Sequence, residues 1–192
     1  MKPAFALGLS SLCAALLFGQ EFKLGGKVGD FTIQDVRGSS VQFSSLKGDV
    51  TVITFIATKC PISNDYNGRM TVLYNDYAPK GAKFVFINSN NTEPASEVEQ
   101  HTKKNSFPFQ VYKDDNNVVA DRFAAQVTPE AFVLDKGGVI RYHGAIDDSQ
   151  NLARVQVQRL RKALDSILAG QPVETAQTKA FGCTIKRVKK AS

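Results

Sequence analysis

The chain has 192 residues, of which 43% are hydrophobic and 22% are charged. This length suits one globular domain with short appendages, and the composition excludes a disordered or fibrous chain. Three cysteines are too few for a disulfide-rich scaffold, whereas the net charge of +6 raises the question of a nucleic-acid-binding surface.

The chain opens with a basic residue followed by an apolar segment. Lys2 precedes an uncharged run from Ala4 to Phe18, which is shorter than the roughly 20 residues that a membrane-spanning helix needs. This pattern predicts a signal peptide over residues 1–20, with an uncleaved anchor as the alternative. We therefore expect an exported protein, periplasmic or secreted, that has no stable membrane insertion after processing and has lost Cys13.

The positive charge is concentrated near the C-terminus. Residues 21–170 contain 18 Lys and Arg against 17 Asp and Glu, whereas residues 171–192 contain five basic residues against one acidic residue. The sequence thus predicts a nearly neutral domain over 21–170 and a basic tail over 171–192. Because the domain itself carries little excess charge, nucleic acid is not expected as a partner.

The first half of the domain contains two short strands, a buried strand and a helix. Alternating residues predict strands at 31–33 and 41–43, and the apolar run at 50–57, VTVITFIA, is typical of a strand buried on both faces. A helix is expected to begin at Pro61 and to end at Gly81. One face of this helix should be buried, and its residues are Ile62, Tyr66, Met70, Leu73 and Tyr77.

The second half continues the alternation of strands and helices. Strands are predicted at 83–88, 109–112, 130–135 and 139–143, and helices at 92–104 and 117–125. A last helix is expected to follow the cap candidates Asp147–Ser149 and to end at Gly170. The order of elements predicts an α/β fold: a mixed central sheet with helices on both faces and an N-terminal β-hairpin extension.

Cys60 stands at the junction between the buried strand and the helix that follows. The backbone N–H groups of a first helical turn lack internal partners, so they favour the thiolate, which is the reactive form of cysteine. Lys59 is adjacent in sequence, and the Ser63 hydroxyl lies one helical turn further on, within reach of the sulfur. This position favours a nucleophile; the alternative is a buried, inert cysteine.

Four segments together carry a family resemblance: VGDFTIQDVRGSSVQFSSLKG, VTVITFIATKC, CPIS and VTPEAFVLDKGGVIRYHG. The chain resembles the thioredoxin-like superfamily, specifically the peroxiredoxin-like redoxins of the alkyl hydroperoxide reductase and thiol-specific antioxidant type, over about residues 25–170. The resemblance implies a thioredoxin-like fold with Cys60 as the attacking cysteine. It also implies a cis Thr128–Pro129 peptide beside the sulfur, in a loop that offers backbone groups to a substrate chain. The implied substrate-binding residues are Thr58, Lys59, Pro61, Ser63, Thr128 and Pro129.

The sequence departs from the family pattern at two places. Ser63 stands where thioredoxins have the second cysteine of their CxxC motif, so Cys60 has no local disulfide partner. Ile53 and Ala57 stand where the peroxidatic signature has Pro and a Thr or Ser. These departures favour disulfide exchange over peroxide reduction as the chemistry of Cys60.

Cys183 lies in an apolar patch, AFGCTIK, within the otherwise polar tail. If Ala180, Phe181 and Ile185 dock on the domain, Cys183 can approach Cys60 and resolve its oxidised form. A permanent structural disulfide and a free or intermolecular thiol are the alternatives. A bridge requires Cα atoms within about 7 Å, which the sequence does not reveal.

These features predict an exported thiol-dependent oxidoreductase with Cys60 and Cys183 as its catalytic residues. Its expected partners are a disulfide-bearing protein or a hydroperoxide as substrate and an external thiol as electron donor. No cofactor and no metal are expected, because His101 and His143 are isolated in the sequence. Two other hypotheses remain: a non-catalytic binding module with a structural Cys60–Cys183 disulfide, and a copper chaperone, which needs a second cysteine and a placed histidine near Cys60.

Overall fold

The computed structural model describes residues 22–189. The predicted signal peptide, with Cys13, and the last three residues of the basic tail lie outside the described residues. Between residues 22 and 189, no helix combines the length and the hydropathy that crossing a membrane requires.

Strands and helices alternate along the described chain in nearly the predicted order. The strands are β1 (Thr32–Gln34), β2 (Ser40–Gln42), β3 (Val50–Ile56), β4 (Ala82–Asn88), β5 (Val111–Lys113), β6 (Val127–Thr128), β7 (Glu130–Leu134), β8 (Ile140–Gly144) and β9 (Cys183–Thr184). The α-helices are α1 (Pro61–Asp65), α2 (Asn67–Tyr77), α3 (Ala95–Lys104), α4 (Val118–Arg122) and α5 (Arg159–Leu168).

Seven of these strands form one mixed sheet in the order β2-β1-β5-β4-β3-β7-β8. Strands β3, β4 and β5 run parallel, whereas β7 pairs antiparallel with β3, and β8 with β7. The β1–β2 hairpin joins through an antiparallel pairing of β1 with β5. The mixed central sheet and the N-terminal hairpin are thus confirmed, and the carboxyl ends of β3 and β4 meet near the middle of one sheet edge.

Two apolar clusters cover the two faces of the sheet. Alternate residues of a strand point to opposite faces, and accordingly Val52 belongs to one cluster and Ile53 to the other. The first cluster includes the buried side chains of α2 and α5, and the second includes those of α4 and the N-terminal segment around Phe22. Helices therefore pack on both faces, as predicted, and β3 is buried along its whole length.

The helix predicted between Pro61 and Gly81 is interrupted. Tyr66, with φ −93° and ψ −4°, separates α1 from α2, and a short 3₁₀ turn at Ala78–Lys80 precedes Gly81. Gly81 adopts the left-handed conformation, with φ +93°, which glycine tolerates better than other residues and which ends the segment. The predicted buried face is largely confirmed, since Tyr66, Met70, Leu73 and Tyr77 are buried; Ile62 is half-buried.

The predicted start of the last helix is wrong. Helix α5 begins at Arg159, well after the cap candidates Asp147–Ser149, and Leu152 lies in a short 3₁₀ turn with 65% of its surface exposed. Asp147 is instead buried, and its carboxylate accepts a hydrogen bond from Arg69 at 2.8 Å. A carboxylate that forms this buried ion pair is not available to cap a helix.

Candidate active site

Cys60 lies at the carboxyl end of β3 and is the N-cap residue of α1, as predicted. The Ser63 backbone N–H donates to the Cys60 Sγ over 3.2 Å, and the Asn64 N–H donates to the Cys60 carbonyl over 3.0 Å. The cysteine is 3% exposed. An N–H group aimed at the sulfur stabilises negative charge on it, so this geometry favours the thiolate whenever Cys60 is reduced.

Cys60 forms a disulfide with Cys183, 123 residues further along the chain. The two Cα atoms are 5.8 Å apart, within the range that a disulfide requires. Strand β9, which begins at Cys183, pairs antiparallel with β6: Val127 lies opposite Thr184, and Thr128 lies opposite Cys183. The tail therefore docks on the domain next to the predicted nucleophile.

The connection between β6 and β7 lies beside both cysteines. The Thr128–Pro129 peptide is cis, as the family resemblance implied. The Thr128 carbonyl oxygen lies 3.4 Å from the Cys60 Sγ, and the Thr128 hydroxyl donates to the Cys183 carbonyl at 3.5 Å. Thr128 thus contacts both cysteines.

The tail is also anchored upstream of Cys183. The His143 N–H donates to the Ala176 carbonyl, and the Thr178 N–H donates to the His143 carbonyl, both over 2.9 Å. The Thr178 hydroxyl lies 2.9 Å from the Tyr142 hydroxyl and accepts the Ala145 N–H at the same distance. These contacts hold the tail along β8 before it turns towards Cys60.

The apolar patch around Cys183 docks on the domain, which is the condition under which Cys183 can approach Cys60. Ile185 is 3% exposed, and its N–H donates to the Gln126 carbonyl over 3.0 Å. The Phe181 ring lies 6.4 Å from the Tyr66 ring, centroid to centroid. Burial of these side chains stabilises the position of the intervening Cys183.

The predicted substrate-binding residues separate into two groups. Ser63 is buried at the site, but its hydroxyl accepts the Ala57 N–H over 3.1 Å, and only its backbone N–H contacts the sulfur. The expected bond from the Ser63 hydroxyl to the sulfur is therefore wrong. Pro61, at the first position of α1, is exposed beside Cys60.

Thr58 and Lys59 direct their side chains to helix α3 rather than to the sulfur. The Thr58 hydroxyl donates to a carboxylate oxygen of Glu97 over 2.6 Å, and the Lys59 ammonium lies 2.8 Å from the other oxygen. The Lys59 ammonium also donates to the Thr92 carbonyl at 2.9 Å. The adjacent cation inferred from the sequence thus forms an ion pair with Glu97 on helix α3.

The hydrogen bonds from Lys59 and Thr58 hold the pKa of Glu97 below its ordinary value of 4.5. A folded-state pKa below the unfolded one stabilises the fold at neutral pH, and this contribution is lost as the pH falls through the folded-state pKa. We expect Glu97→Gln to lower the urea midpoint at neutral pH and to have a smaller effect at a pH well below 4.5. Equal midpoint differences at both pH values would contradict this expectation.

A buried carboxylate that the sequence analysis missed fixes the loop before Cys60. Glu93 is 3% exposed, and it accepts the Thr58 N–H at 2.8 Å and the Lys59 N–H at 3.0 Å. Its carboxylate also accepts the Asn88 side-chain amide at 2.5 Å. The Lys113 ammonium, similarly buried, donates to the Asn88 side chain and to the Glu93 carbonyl. The sequence analysis placed Glu93 in the helix predicted over 92–104, which instead begins at Ala95, and no motif marked this carboxylate.

Replacing Glu93 with glutamine should weaken this loop. Glutamine offers one acceptor oxygen and a donor amide, so it cannot accept all three hydrogen bonds, and a buried N–H group is left unsatisfied. We expect the free energy of unfolding to fall by about 1–3 kcal/mol, measured by urea denaturation. The matched control is Glu99→Gln on helix α3, whose solvent-exposed pair with Lys103 should leave the urea midpoint nearly unchanged. Equal effects of the two substitutions would refute the role given to Glu93.

A second missed pair lies directly after the cis peptide. The Glu130 carboxylate accepts the Gln126 N–H at 2.7 Å and the Val127 N–H at 3.2 Å. Its other oxygen lies 2.6 Å from His143 Nε2, and the His143 ring stacks on Phe132 with centroids 4.2 Å apart. This pair fixes strand β6, on which the tail strand docks. Glu130 and His143 are 13 positions apart in the sequence, and no motif links them.

No group of three or more His, Cys, Asp or Glu side chains that could hold a metal ion occurs within residues 22–189. Fold and site together define a thioredoxin-like protein with a buried cysteine at a helix N-terminus, a cis-proline loop and a second cysteine supplied by the tail. The chain is thus a thiol-dependent oxidoreductase. The model of the AhpC/TSA family matches residues 24–143, and the chain belongs to this family.

The chain is also similar to individual proteins, of which two carry names of redox proteins. A structure of an uncharacterized conserved protein from Geobacillus kaustophilus is 33% identical, with a TM-score of 0.82, and the match covers 88% of this chain and 95% of that one. The thiol-disulfide oxidoreductase ResA of Bacillus cereus is 24% identical over 121 residues, which are 63% of this chain and 69% of that protein. A protein named peroxiredoxin Q from Oryza sativa subsp. indica is 28% identical over 126 residues, 62% of this chain and 57% of that protein.

Proposed function

We propose that the protein reduces disulfides in other polypeptides, with Cys60 as the nucleophile and Cys183 as the resolving cysteine. The observation that carries this proposal is the Cys60–Cys183 disulfide beside a cis-proline loop, with the Ser63 N–H aimed at the Cys60 sulfur. The name of the Bacillus cereus relative, a thiol-disulfide oxidoreductase, supports the same chemistry.

The reaction proceeds in two exchanges. The Cys60 thiolate attacks one sulfur of the substrate disulfide, forms a mixed disulfide and releases the other substrate sulfur as a thiolate. The Cys183 thiolate then attacks the Cys60 Sγ, which forms the internal disulfide and releases the second substrate sulfur. The substrate gains two electrons, and the enzyme loses them.

An external dithiol donor restores the reduced enzyme. In the oxidised protein Cys60 is 3% exposed, whereas Cys183 is partly exposed, so an incoming thiolate reaches Cys183 first. Attack there releases Cys60 as a thiolate, which the Ser63 N–H stabilises as a leaving group. The second thiol of the donor then attacks the donor sulfur that is bonded to Cys183, which forms the donor disulfide and releases Cys183 as a thiolate. Disulfide substrate and donor thus react with different cysteines.

The remaining residues support the two cysteines. Thr128 and Pro129 present main-chain groups beside the sulfur, and Pro61 and Ser63 form the first turn of α1 against it. Thr58 and Lys59 contribute through their backbone N–H groups, which Glu93 holds. We include export in the proposal, because the apolar segment over residues 1–20 has the pattern of a signal peptide.

The alternative substrate of Cys60 is a peroxide, and the similarity to peroxiredoxin Q is the reason to test it. Ile53, at the position of the signature proline, is fully buried in β3, and the Ala57 N–H is already bonded to the Ser63 hydroxyl. These positions offer no hydroxyl or proline at the sulfur for peroxide binding. Disulfide exchange is therefore favoured.

The test compares the two oxidants on the reduced protein. Stoichiometric hydrogen peroxide and an equal concentration of a disulfide-bonded peptide are added separately, and formation of the Cys60–Cys183 disulfide is followed by quenching and mass spectrometry. We expect the peptide to oxidise the pair at least about tenfold faster. Faster oxidation by peroxide would replace the proposal with a peroxidase.

The same protein distinguishes the non-catalytic alternatives. A structural disulfide in a binding module would resist a thioredoxin-type donor, whereas a catalytic disulfide is reduced by it. A copper chaperone would bind Cu(I) stoichiometrically at the two reduced thiols, and a flat titration would exclude it.

A further inference from the structure

We propose that the groove holding residues 181–188 is a sequence-selective peptide site, for which the tail is a built-in occupant. The partner protein that exchanges a disulfide with Cys60 presents an extended segment with glycine directly before the reacting cysteine. An aliphatic residue lies two positions after that cysteine. This inference rests on the proposed function and specifies its substrate class.

The Cys60 Sγ is bonded to another cysteine both in the internal disulfide, where the partner is Cys183, and in the mixed disulfide, where it is a cysteine of the substrate protein. In the structure, the chain around the sulfur bonded to Cys60 runs antiparallel to β6, with Cys183 opposite Thr128. A partner cysteine bonded to Cys60 places its flanking residues against the same strand. The tail therefore shows which side chains this path accepts.

The position before the cysteine accepts only glycine. A Cβ atom on Gly182 would overlap the Thr128 carbonyl oxygen and would lie 2.6 Å from the Thr128 carbonyl carbon. Both atoms are backbone atoms of the segment that leads into the cis peptide, so they cannot rotate away as a flexible side chain can. Any side chain at this position separates the two strands.

The position two residues after the cysteine requires an apolar side chain. Ile185 is 3% exposed and belongs to the apolar cluster that includes Val119 and Phe123. The intervening Thr184 is exposed, as the alternation along an extended strand requires. A polar residue in place of Ile185 would be buried without a hydrogen-bond partner.

Beyond this position, buried asparagines bind the main chain of the occupant. The Asn90 side-chain oxygen accepts the Lys186 N–H, and the Asn117 side-chain oxygen accepts the Val188 N–H, both at 2.7 Å. These asparagines are 4% and 0% exposed. When the tail leaves the groove, the side-chain oxygens of the two asparagines lose their hydrogen-bond donors. A partner segment that takes the place of the tail supplies new backbone N–H groups to these oxygens.

The tail and the partner segment therefore compete for one groove. The partner occupies it while Cys60 is in the mixed disulfide. When Cys183 displaces the partner sulfur from Cys60, the tail strand pairs with β6 again and the reduced partner loses its binding site. The competition couples electron transfer to product release.

The experiment uses the full-length Cys183→Ser protein in its reduced form, in which Cys60 has no internal partner. The probe is a synthetic peptide of residues 180–188, AFGCTIKRV, whose cysteine is linked as a mixed disulfide to 5-thio-2-nitrobenzoate. Cys60 attacks the peptide sulfur, the peptide becomes bound to Cys60, and the coloured aromatic thiolate is released and measured. Mass spectrometry confirms the adduct.

Two altered peptides test the selectivity, one carrying Gly182→Ala and the other Ile185→Ser. Rates are normalised to the reaction of each peptide with free glutathione, which removes differences in intrinsic reactivity. We expect the unaltered peptide to react about tenfold faster or more than either altered peptide. Equal normalised rates would overturn the inference and leave the proposed function intact. Absence of reaction with every peptide disulfide would refute the proposed function itself.

Discussion

Replacement of Cys60 by serine is expected to abolish disulfide reduction, with a loss of turnover of about three orders of magnitude or more. A serine hydroxyl remains protonated at neutral pH, and its oxygen cannot form the mixed disulfide through which the electrons pass. The Ser63 N–H, which stabilises the thiolate in the native protein, cannot make up for this loss. The measurement is the rate of reduction of a peptide disulfide in the presence of a dithiol donor, with circular dichroism to confirm folding.

The matched control is Cys183→Ser, which should separate the two exchanges. This variant is expected to release one equivalent of substrate thiol and to stop at the mixed disulfide with Cys60. Without Cys183, only an external thiolate can attack the mixed disulfide at Cys60, so multiple turnover becomes slow. Undiminished turnover in the Cys60→Ser protein would contradict the assignment of Cys60 as the nucleophile.

Reduction of the Cys60–Cys183 disulfide is expected to lower the free energy of unfolding by roughly 3–5 kcal/mol. The bond closes a loop of 123 residues, so it removes a large amount of conformational freedom from the unfolded chain. The measurement is the urea midpoint of the native sequence, oxidised and reduced, at the same pH.

The Cys183→Ser protein again provides the control. It has no disulfide to lose, so its urea midpoint should be insensitive to reductant and should lie close to that of the reduced native protein. An unchanged midpoint on reduction of the native protein would mean that the tail holds the domain together without the bond. In that case the docking of Ile185 and Phe181 would carry the stability that we assign to the disulfide.

Local patterns in the sequence were sufficient to predict the fold and the position of Cys60 within it. Strand β3 was predictable because β-branched apolar residues fill every position of a strand that is buried on both faces. Cys60 was predictable because its position between this strand and Pro61 marks a helix N-terminus. The predicted start of α5 was wrong. Asp147, which was expected to cap the helix, accepts a hydrogen bond from Arg69, and the sequence does not show this contact because Arg69 is far away along the chain.

Contacts between distant segments account for most of what the sequence did not show. Glu93 supports the residues before Cys60 from 34 positions away, and Glu130 holds the strand on which the tail docks. Neither carboxylate belongs to a motif, and each is recognisable only by the N–H groups that it accepts. Ser63 lies in the first turn of α1 beside Cys60, as the sequence predicted. Its hydroxyl, however, accepts a hydrogen bond from the Ala57 N–H and does not contact the sulfur.

The sequence by itself determined an α/β redox domain with a cysteine at a helix N-terminus, because these features follow from neighbouring residues. It also determined that Cys183 lies in an apolar patch of a basic tail. Only the tertiary structure decided that the tail pairs with the strand before Pro129 and completes the site with Cys183. The physical reason is that pairing between segments far apart depends on complementary surfaces, such as the close approach at Gly182, which exist only after the chain has folded.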